Sequence, residues 1–208
     1  MKHRLCLVLV LAAGCSRAVT PPLDVKATAD RKPIRTLAVM PVAASPTITG
    51  DAASRAPGAV TQMLLDAASR QAGWKLVSSD AVATALRTLA SDTPEAKAGA
   101  LAARVGADAT LTATVATYEE RFGSDYGASE PASVSIQLLA VPAGRKQATW
   151  KANYTFRQEP LAYNLFNLWG FIRGGPKWLT ADELAKIGVD EAVKRLAEGP
   201  HTNRAAGG

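Results

Sequence analysis

The period of the apolar residues changes near Ala107, and this change constrains the fold more than any other feature of the chain. Before it, apolar residues recur at helical spacing in three segments, with short apolar runs ahead of the first and the second. After it, apolar and polar residues alternate, beginning with threonines at 110, 112 and 114, as in strands with one buried face. We therefore predict an α/β fold, a single domain with a mixed β-sheet flanked by helices.

The predicted elements follow the order β-α-β-α-α-β-β-β-α. Strands are expected at 36–42, 74–77, 110–115, 133–141 and 147–157, and helices at 51–72, 79–89, 93–106 and 180–196. In the last strand, Trp150, Tyr154 and Phe156 fall on one face, which we expect to be buried. The stretch 119–132 is polar and contains three Gly or Pro residues, so it predicts a loop.

Residues that favour helix ends support these boundaries. Pro57 suits the first turn of the first helix, and Gly73 can take the left-handed conformation that ends it. Ser79 or Asp80 can cap the second helix, and Thr180-Ala181-Asp182-Glu183 has the spacing of a capping box for the last one.

The first 15 residues have the parts of an export signal. Lys2 and Arg4 precede an apolar run that is far shorter than the ~20 residues of a membrane-spanning helix. Leu-Ala-Ala-Gly-Cys at 11–15 resembles the lipobox at which bacterial lipoprotein precursors are cut and acylated, although Ala12 departs from the usual leucine. The resemblance implies a signal peptide at 1–14 and a membrane anchor on lipidated Cys15. The alternative is an ordinary signal peptide in which Cys15 is incidental.

Export restricts the chemistry of the mature protein. Without residues 1–14 the chain has 194 residues, which suffice for one domain, and its net charge falls from +6 to +4. The charges are interspersed and predict no nucleic-acid binding. Cys6 leaves with the signal peptide and lipidation uses Cys15, so no cysteine remains for a disulfide, a nucleophile or a metal ligand.

The sequence between the anchor and the first predicted strand has no apolar period. We therefore divide the chain into the signal peptide at 1–14, the lipidated cysteine with a flexible tether at 15–35, the α/β domain at 36–198, and a disordered tail at 199–208.

Three segments resemble a group of envelope lipoprotein domains. They are Thr36 to Val42, Gly73 to Ser79 and Leu101 to Val115, and the most specific piece is Ala102 to Ala109. The group includes the curli-assembly lipoprotein, the penicillin-binding-protein activator lipoproteins and the amino-terminal domain of the Tol-Pal translocation protein. The resemblance implies a compact domain that binds or positions other proteins and needs no cofactor. Ser16, in place of aspartate after the cysteine, implies an outer-membrane anchor with the domain facing the periplasm.

The residue types favour a protein that is not an enzyme. His201 is the one histidine left after processing and lies in the predicted tail, and the chain has neither a P-loop nor a G-x-G-x-x-G motif. No cofactor and no metal site are predicted. Carboxylates are adjacent at 119/120, 182/183 and 190/191, which leaves a peptidoglycan-directed hydrolase as a remote alternative.

Residues 160–179 are unusually apolar and hold five of the chain's twelve aromatic residues. A helical stripe at 161, 165, 168 and 169 leaves other aromatics on different faces, so one buried side cannot hold them all. Either the segment packs over the sheet, or it presents a surface that docks on a partner or rests at the membrane interface. The candidate partner-binding residues are Tyr163, Phe166, Trp169, Phe171 and Trp178.

We therefore expect a lipid-anchored, non-enzymatic envelope protein that binds a partner protein through 160–179, with the stretch 119–132 as a second contact. The first alternative is a homo-oligomeric structural subunit in which copies of the chain bury the same aromatic residues. Its size in solution distinguishes the two.

Overall fold

The computed structural model describes residues 22–125, 127–158 and 178–199. The predicted signal peptide, Cys15, the predicted tail beyond Gly199 and four of the aromatic candidates lie outside these ranges. Those four are Tyr163, Phe166, Trp169 and Phe171.

The described residues form nine strands and four helices. In chain order they are β1 (Leu23–Ala27), β2 (Thr36–Val39), β3 (Ala43–Ala44), α1 (Gly50–Ser69), β4 (Lys75–Leu76), α2 (Ser79–Arg87), α3 (Pro94–Val105), β5 (Ala109–Glu119), β6 (Phe122–Ser124), β7 (Gly127–Glu130), β8 (Ser133–Pro142), β9 (Trp150–Arg157) and α4 (Ala181–Ala197). The predicted α/β class with a mixed sheet and flanking helices is confirmed.

Seven strands make the main sheet in the order β1-β9-β8-β5-β2-β4, and β3 also pairs with β5. The strand β2 is parallel to β4 and β5, whereas β5, β8, β9 and β1 pair in antiparallel fashion. The remaining strands, β6 and β7, form a separate two-stranded hairpin between β5 and β8.

Helices cover both faces of the sheet. Leu37 and Val39 of β2 pack in one apolar cluster with α1 and α4, while Ala38 and Met40 pack in a second cluster with α2 and α3. This alternation follows from the period of two in a strand. On β9, Trp150, Tyr154 and Phe156 are all buried against the first cluster, as their spacing predicts.

Two of the predicted helix ends are confirmed. Thr180 and Glu183 form both hydrogen bonds of a capping box at the start of α4. Gly106 follows α3 with φ +67° and donates its N–H to the carbonyl of Ala102.

Three details of helix ends were predicted wrongly. Ser78, rather than Ser79 or Asp80, caps α2, because its side chain accepts a hydrogen bond from the N–H of Ala81. Pro57 lies inside α1, which begins at Gly50, and α1 ends at Ser69, so that Gly73 lies in the turn after it. Local residue preferences identify a helix more reliably than its terminal residue.

The flexible tether at 15–35 is wrong over 23–27, which form the edge strand β1. Each of its five residues pairs with one residue of β9, from Leu23 opposite Tyr154 to Ala27 opposite Trp150. Most of β1 is exposed, so backbone pairing rather than apolar burial holds it. The folded domain therefore begins well before residue 36.

The loop predicted at 119–132 is also wrong, because β5 continues to Glu119 and β6 and β7 pair within the stretch. Backbone hydrogen bonds between two polar strands produce no apolar alternation in the sequence. Within the described ranges, no helix combines the length and the apolar composition that a membrane crossing requires.

Candidate partner-binding surface

The β6–β7 hairpin extends from the end of the sheet where β5 ends and β8 begins. The side chain of Phe122 is 73% exposed, the largest value among the large apolar residues in the described part of the chain. We call the described residues of 119–130 together with Trp178 the hairpin surface.

Several contacts fix the shape of the hairpin. Phe122 pairs with Glu130, and the hydroxyl of Ser129 donates to the carbonyl of Phe122 at 3.2 Å. Gly123 has φ +125°, and a Cβ there would collide with the carbonyl of Gly127. An ion pair joins Arg121 and Asp125, the residues on either side of β6, which carries Phe122. These contacts therefore hold the backbone that carries the exposed ring of Phe122 in a defined conformation.

Trp178 contacts this hairpin directly. Its backbone N–H donates to the carbonyl of Asp125 at 2.7 Å. The next residue, Leu179, is buried and donates its N–H to the side-chain oxygen of Gln158 at 2.7 Å, just after β9. Gln158, just before the aromatic segment (residues 160–179), and Trp178, near its end, therefore both lie at one end of the sheet, beside the hairpin.

The structure thus brings Trp178, near the end of the aromatic segment, to the stretch that was predicted as a second contact. Trp178, one of the five aromatic candidates, is half-buried beside the hairpin. The positions of Tyr163, Phe166, Trp169 and Phe171 stay predictions.

Partly buried polar contacts connect the start of α4 to the end of β5, next to the hairpin. The hydroxyl of Tyr118, a residue only 2% exposed, donates to the carboxylate of Asp182, and the guanidinium of Arg55 lies 5.9 Å from the ring centroid of Tyr118. Burial, and then the hydrogen bond to Asp182, raises the pKa of the Tyr118 hydroxyl. The carboxylate of Glu120 accepts from the N–H of Ala181 at 3.3 Å, where the positive end of the α4 dipole favours an acidic group.

Most of the adjacent carboxylates have structural partners. Glu183 completes the capping box. On the outer side of α4, Asp190 pairs with Arg70 at 2.6 Å and with Lys186 at 2.8 Å. The buried carboxylate of Glu191 pairs with Arg195 at 2.9 Å. Together with the contacts of Glu120 and Asp182, five of the six adjacent carboxylates therefore accept hydrogen bonds or form ion pairs at or on α4.

The hairpin surface is acidic. Glu119, Glu120, Asp125 and Glu130 are exposed around Phe122, and Arg121 is the one cation among the described residues of 119–130. In the part of the chain that the structure describes, no three His, Cys, Asp or Glu side chains cluster as metal ligands.

The sequence analysis predicted that 119–132 is a loop and a second partner contact, but it did not single out Phe122. The available signal was a single large aromatic residue among charged and small residues, in Glu119-Glu120-Arg121-Phe122-Gly123. A polar stretch gives such a residue nothing apolar to pack against.

No protein-family model and no curated protein matches this chain. Among solved structures, it is similar to the PelC dodecamer from Paraburkholderia phytofirmans, with 10% identity, a TM-score of 0.48, and coverage of 84% of this chain and 96% of that one. It is also similar to the LpoB C-terminal domain from Escherichia coli, with 20% identity, a TM-score of 0.43, and coverage of 62% and 88%. A third similar structure is lipoprotein GNA1162 from Neisseria meningitidis, with 17% identity, a TM-score of 0.40, and coverage of 67% and 92%.

Proposed function

We propose that this chain is a lipid-anchored, non-enzymatic protein of the bacterial cell envelope that binds a partner protein through the hairpin surface and the adjoining aromatic segment. The observation that carries this proposal is the hydrogen bond from Trp178 to Asp125, beside the exposed ring of Phe122. An exposed aromatic residue on a rigid support, with polar residues around it, is typical of an anchor in a protein interface.

The path of the chain supports a partner close to the membrane. The strand β1 starts opposite Tyr154 and runs away from the hairpin, so its first residue, Leu23, lies at the end of β1 that is nearer the hairpin. Seven residues separate Cys15 from Leu23, and the distance between these two residues cannot exceed about 28 Å in an extended chain. A lipid on Cys15 would therefore hold the hairpin surface near the outer membrane.

The charges favour a protein partner over direct contact with lipid. Four exposed carboxylates around Phe122 would be repelled by anionic head groups, whereas they complement a partner that has basic residues around an apolar pocket.

An in-cell photo-crosslinking scan tests the proposal. A photoreactive phenylalanine analogue replaces, one at a time, Phe122 and Trp178, and then Phe166, Trp169 and Phe171 in the aromatic segment. The same probe at Arg87, exposed on α2 against the opposite face of the sheet, is the control.

We expect one discrete heterologous adduct from Phe122 and from Trp178 and none from Arg87. Adducts only between copies of the chain would replace the proposal with a homo-oligomeric structural subunit. Adducts only to lipid would make the surface a membrane contact, and the absence of adducts from all five positions would refute the binding surface.

A further inference from the structure

A cleft of about 320 Å³ lies at the end of the sheet opposite the hairpin surface. Residues 30–34 form one side of it, and the start of β5 and the connection after β8 form the other. Its charged lining residues are Asp30, Arg31, Lys32, Asp108 and Arg145, and its apolar ones include Ile34, Ala140 and Pro142. We call it the Arg31 cleft.

Arg31 is only 7% exposed, and its Nε and Nη1 atoms are buried with no hydrogen-bond partner in the described part of the chain. The side chain extends beneath the end of α4, where a Cβ built on Gly199 would lie 3.9 Å from Nη2. Burial lowers the pKa of this guanidinium from its ordinary value. A buried, unpaired cation destabilises a folded protein unless an anion compensates it.

The other buried or constrained charges of the cleft already have partners. The carboxylate of Asp30 pairs with Arg145 at 3.1 Å. The Oδ2 atom of Asp108 accepts hydrogen bonds from the backbone N–H groups of Arg35 and Thr36 at 2.8 and 2.7 Å. Lys32 is exposed to water. Among the described residues that line the cleft, Arg31 is therefore the one buried cation with no ion pair.

We propose that the Arg31 cleft binds the carboxylate group of a small ligand, with the guanidinium of Arg31 as its counter-charge. A planar guanidinium matches the two oxygens of a carboxylate. A singly charged anion matches the one buried cation of the cleft, whereas the carboxylates of Asp30 and Asp108 would repel a phosphate dianion more strongly. The volume suits a small molecule or the end of a chain, and the apolar wall can contact its carbon atoms.

Thermal unfolding of the full-length chain at constant ionic strength tests this site. The probes are sodium acetate, N-acetylalanine as a peptide carboxyl terminus, and glucuronate as an acidic sugar. Chloride, phosphate and the amide of N-acetylalanine are the comparison solutes. We expect at least one carboxylate probe to raise the Tm by about 3 °C at roughly ten times its Kd, and the probe that does so at the lowest concentration identifies the source of the carboxylate.

Three variants connect the response to Arg31. In Arg31→Met the carboxylate response should disappear, while the protein without probe should melt at least as high as the native protein. Arg31→Lys keeps the charge without the planar fork and should need more carboxylate, and it carries the test if Arg31→Met fails to fold. Arg87→Met removes an exposed cation outside the cleft and should respond like the native chain.

Three results would overturn the proposal. They are an equal Tm rise in the native protein and the Arg31 variants, a rise with phosphate but with no carboxylate, and no rise with any probe. None of them bears on partner binding, since the cleft and the hairpin surface lie at opposite ends of the sheet.

Discussion

At the residue scale, Asp108 joins the starts of β2 and β5 through one oxygen atom. Hydrogen bonds from the backbone N–H groups of Thr36 and Arg35 lower the pKa of its carboxyl from the ordinary value of 3.8. In Asp108→Asn we expect the free energy of unfolding at pH 7 to fall by about 1 kcal/mol, because a neutral acceptor is weaker and this exposed site is screened by water.

Since the folded-state pKa of Asp108 is the lower one, the contribution of its carboxylate to stability is complete above the unfolded-state pKa and is lost as the pH falls through the folded-state pKa. Urea unfolding at pH 7 and at pH 3 or below should therefore show a smaller difference at low pH. Asp92→Asn, at an exposed position before α3, is the control, and a pH-independent difference would contradict this account.

At the scale of elements, two glycines differ in the space around them. Gly188 lies where α4 packs tightly on the sheet, whereas Gly58 lies at an open position of α1. A Cβ on Gly188 of α4 would collide with the ring of Tyr154, whereas a Cβ on Gly58 of α1 would meet nothing within 4 Å. We expect Gly188→Ala to lower the free energy of unfolding by about 1–3 kcal/mol, because the overpacking exceeds the gain in helix propensity. Gly58→Ala, the matched control, should raise it by up to about 1 kcal/mol. Denaturant unfolding of both variants measures the difference, and two shifts of the same sign would show that α4 does not lie this close to β9.

At the scale of the whole molecule, the position of β1 makes the connection to the proposed anchor short. We expect Cys15→Ser to move the protein from the membrane fraction to the soluble fraction, because it removes the proposed site of acylation. The Tm should stay unchanged, since seven residues separate Cys15 from the first residue of the sheet. Cell fractionation and the mass of the mature N-terminal peptide provide the measurements. Cys6→Ser, within the proposed signal peptide, should leave both unchanged, and a Cys15→Ser protein that stays with the membrane would exclude lipid anchoring through this residue.

Most helices and buried strands could be predicted because their patterns are local. Val60 and Leu64 are buried on α1 at helical spacing, and Trp150 and Tyr154 are buried on β9 at a spacing of two. The capping box of α4 could be predicted for the same reason, since its two hydrogen bonds join residues three positions apart.

The fold class, the main elements and their inward faces could therefore be predicted from the amino-acid sequence, because burial of one face imposes a period on the residues that form it. The pairing of 23–27 with β9, and the hairpin that carries the exposed Phe122 in the polar stretch after β5, became visible in the folded structure. Polar residues in an edge strand or hairpin are ordered by backbone hydrogen bonds, which leave no pattern in the side chains. The contact between Trp178 and Asp125 and the uncompensated charge of Arg31 likewise depend on segments that meet only in the folded chain.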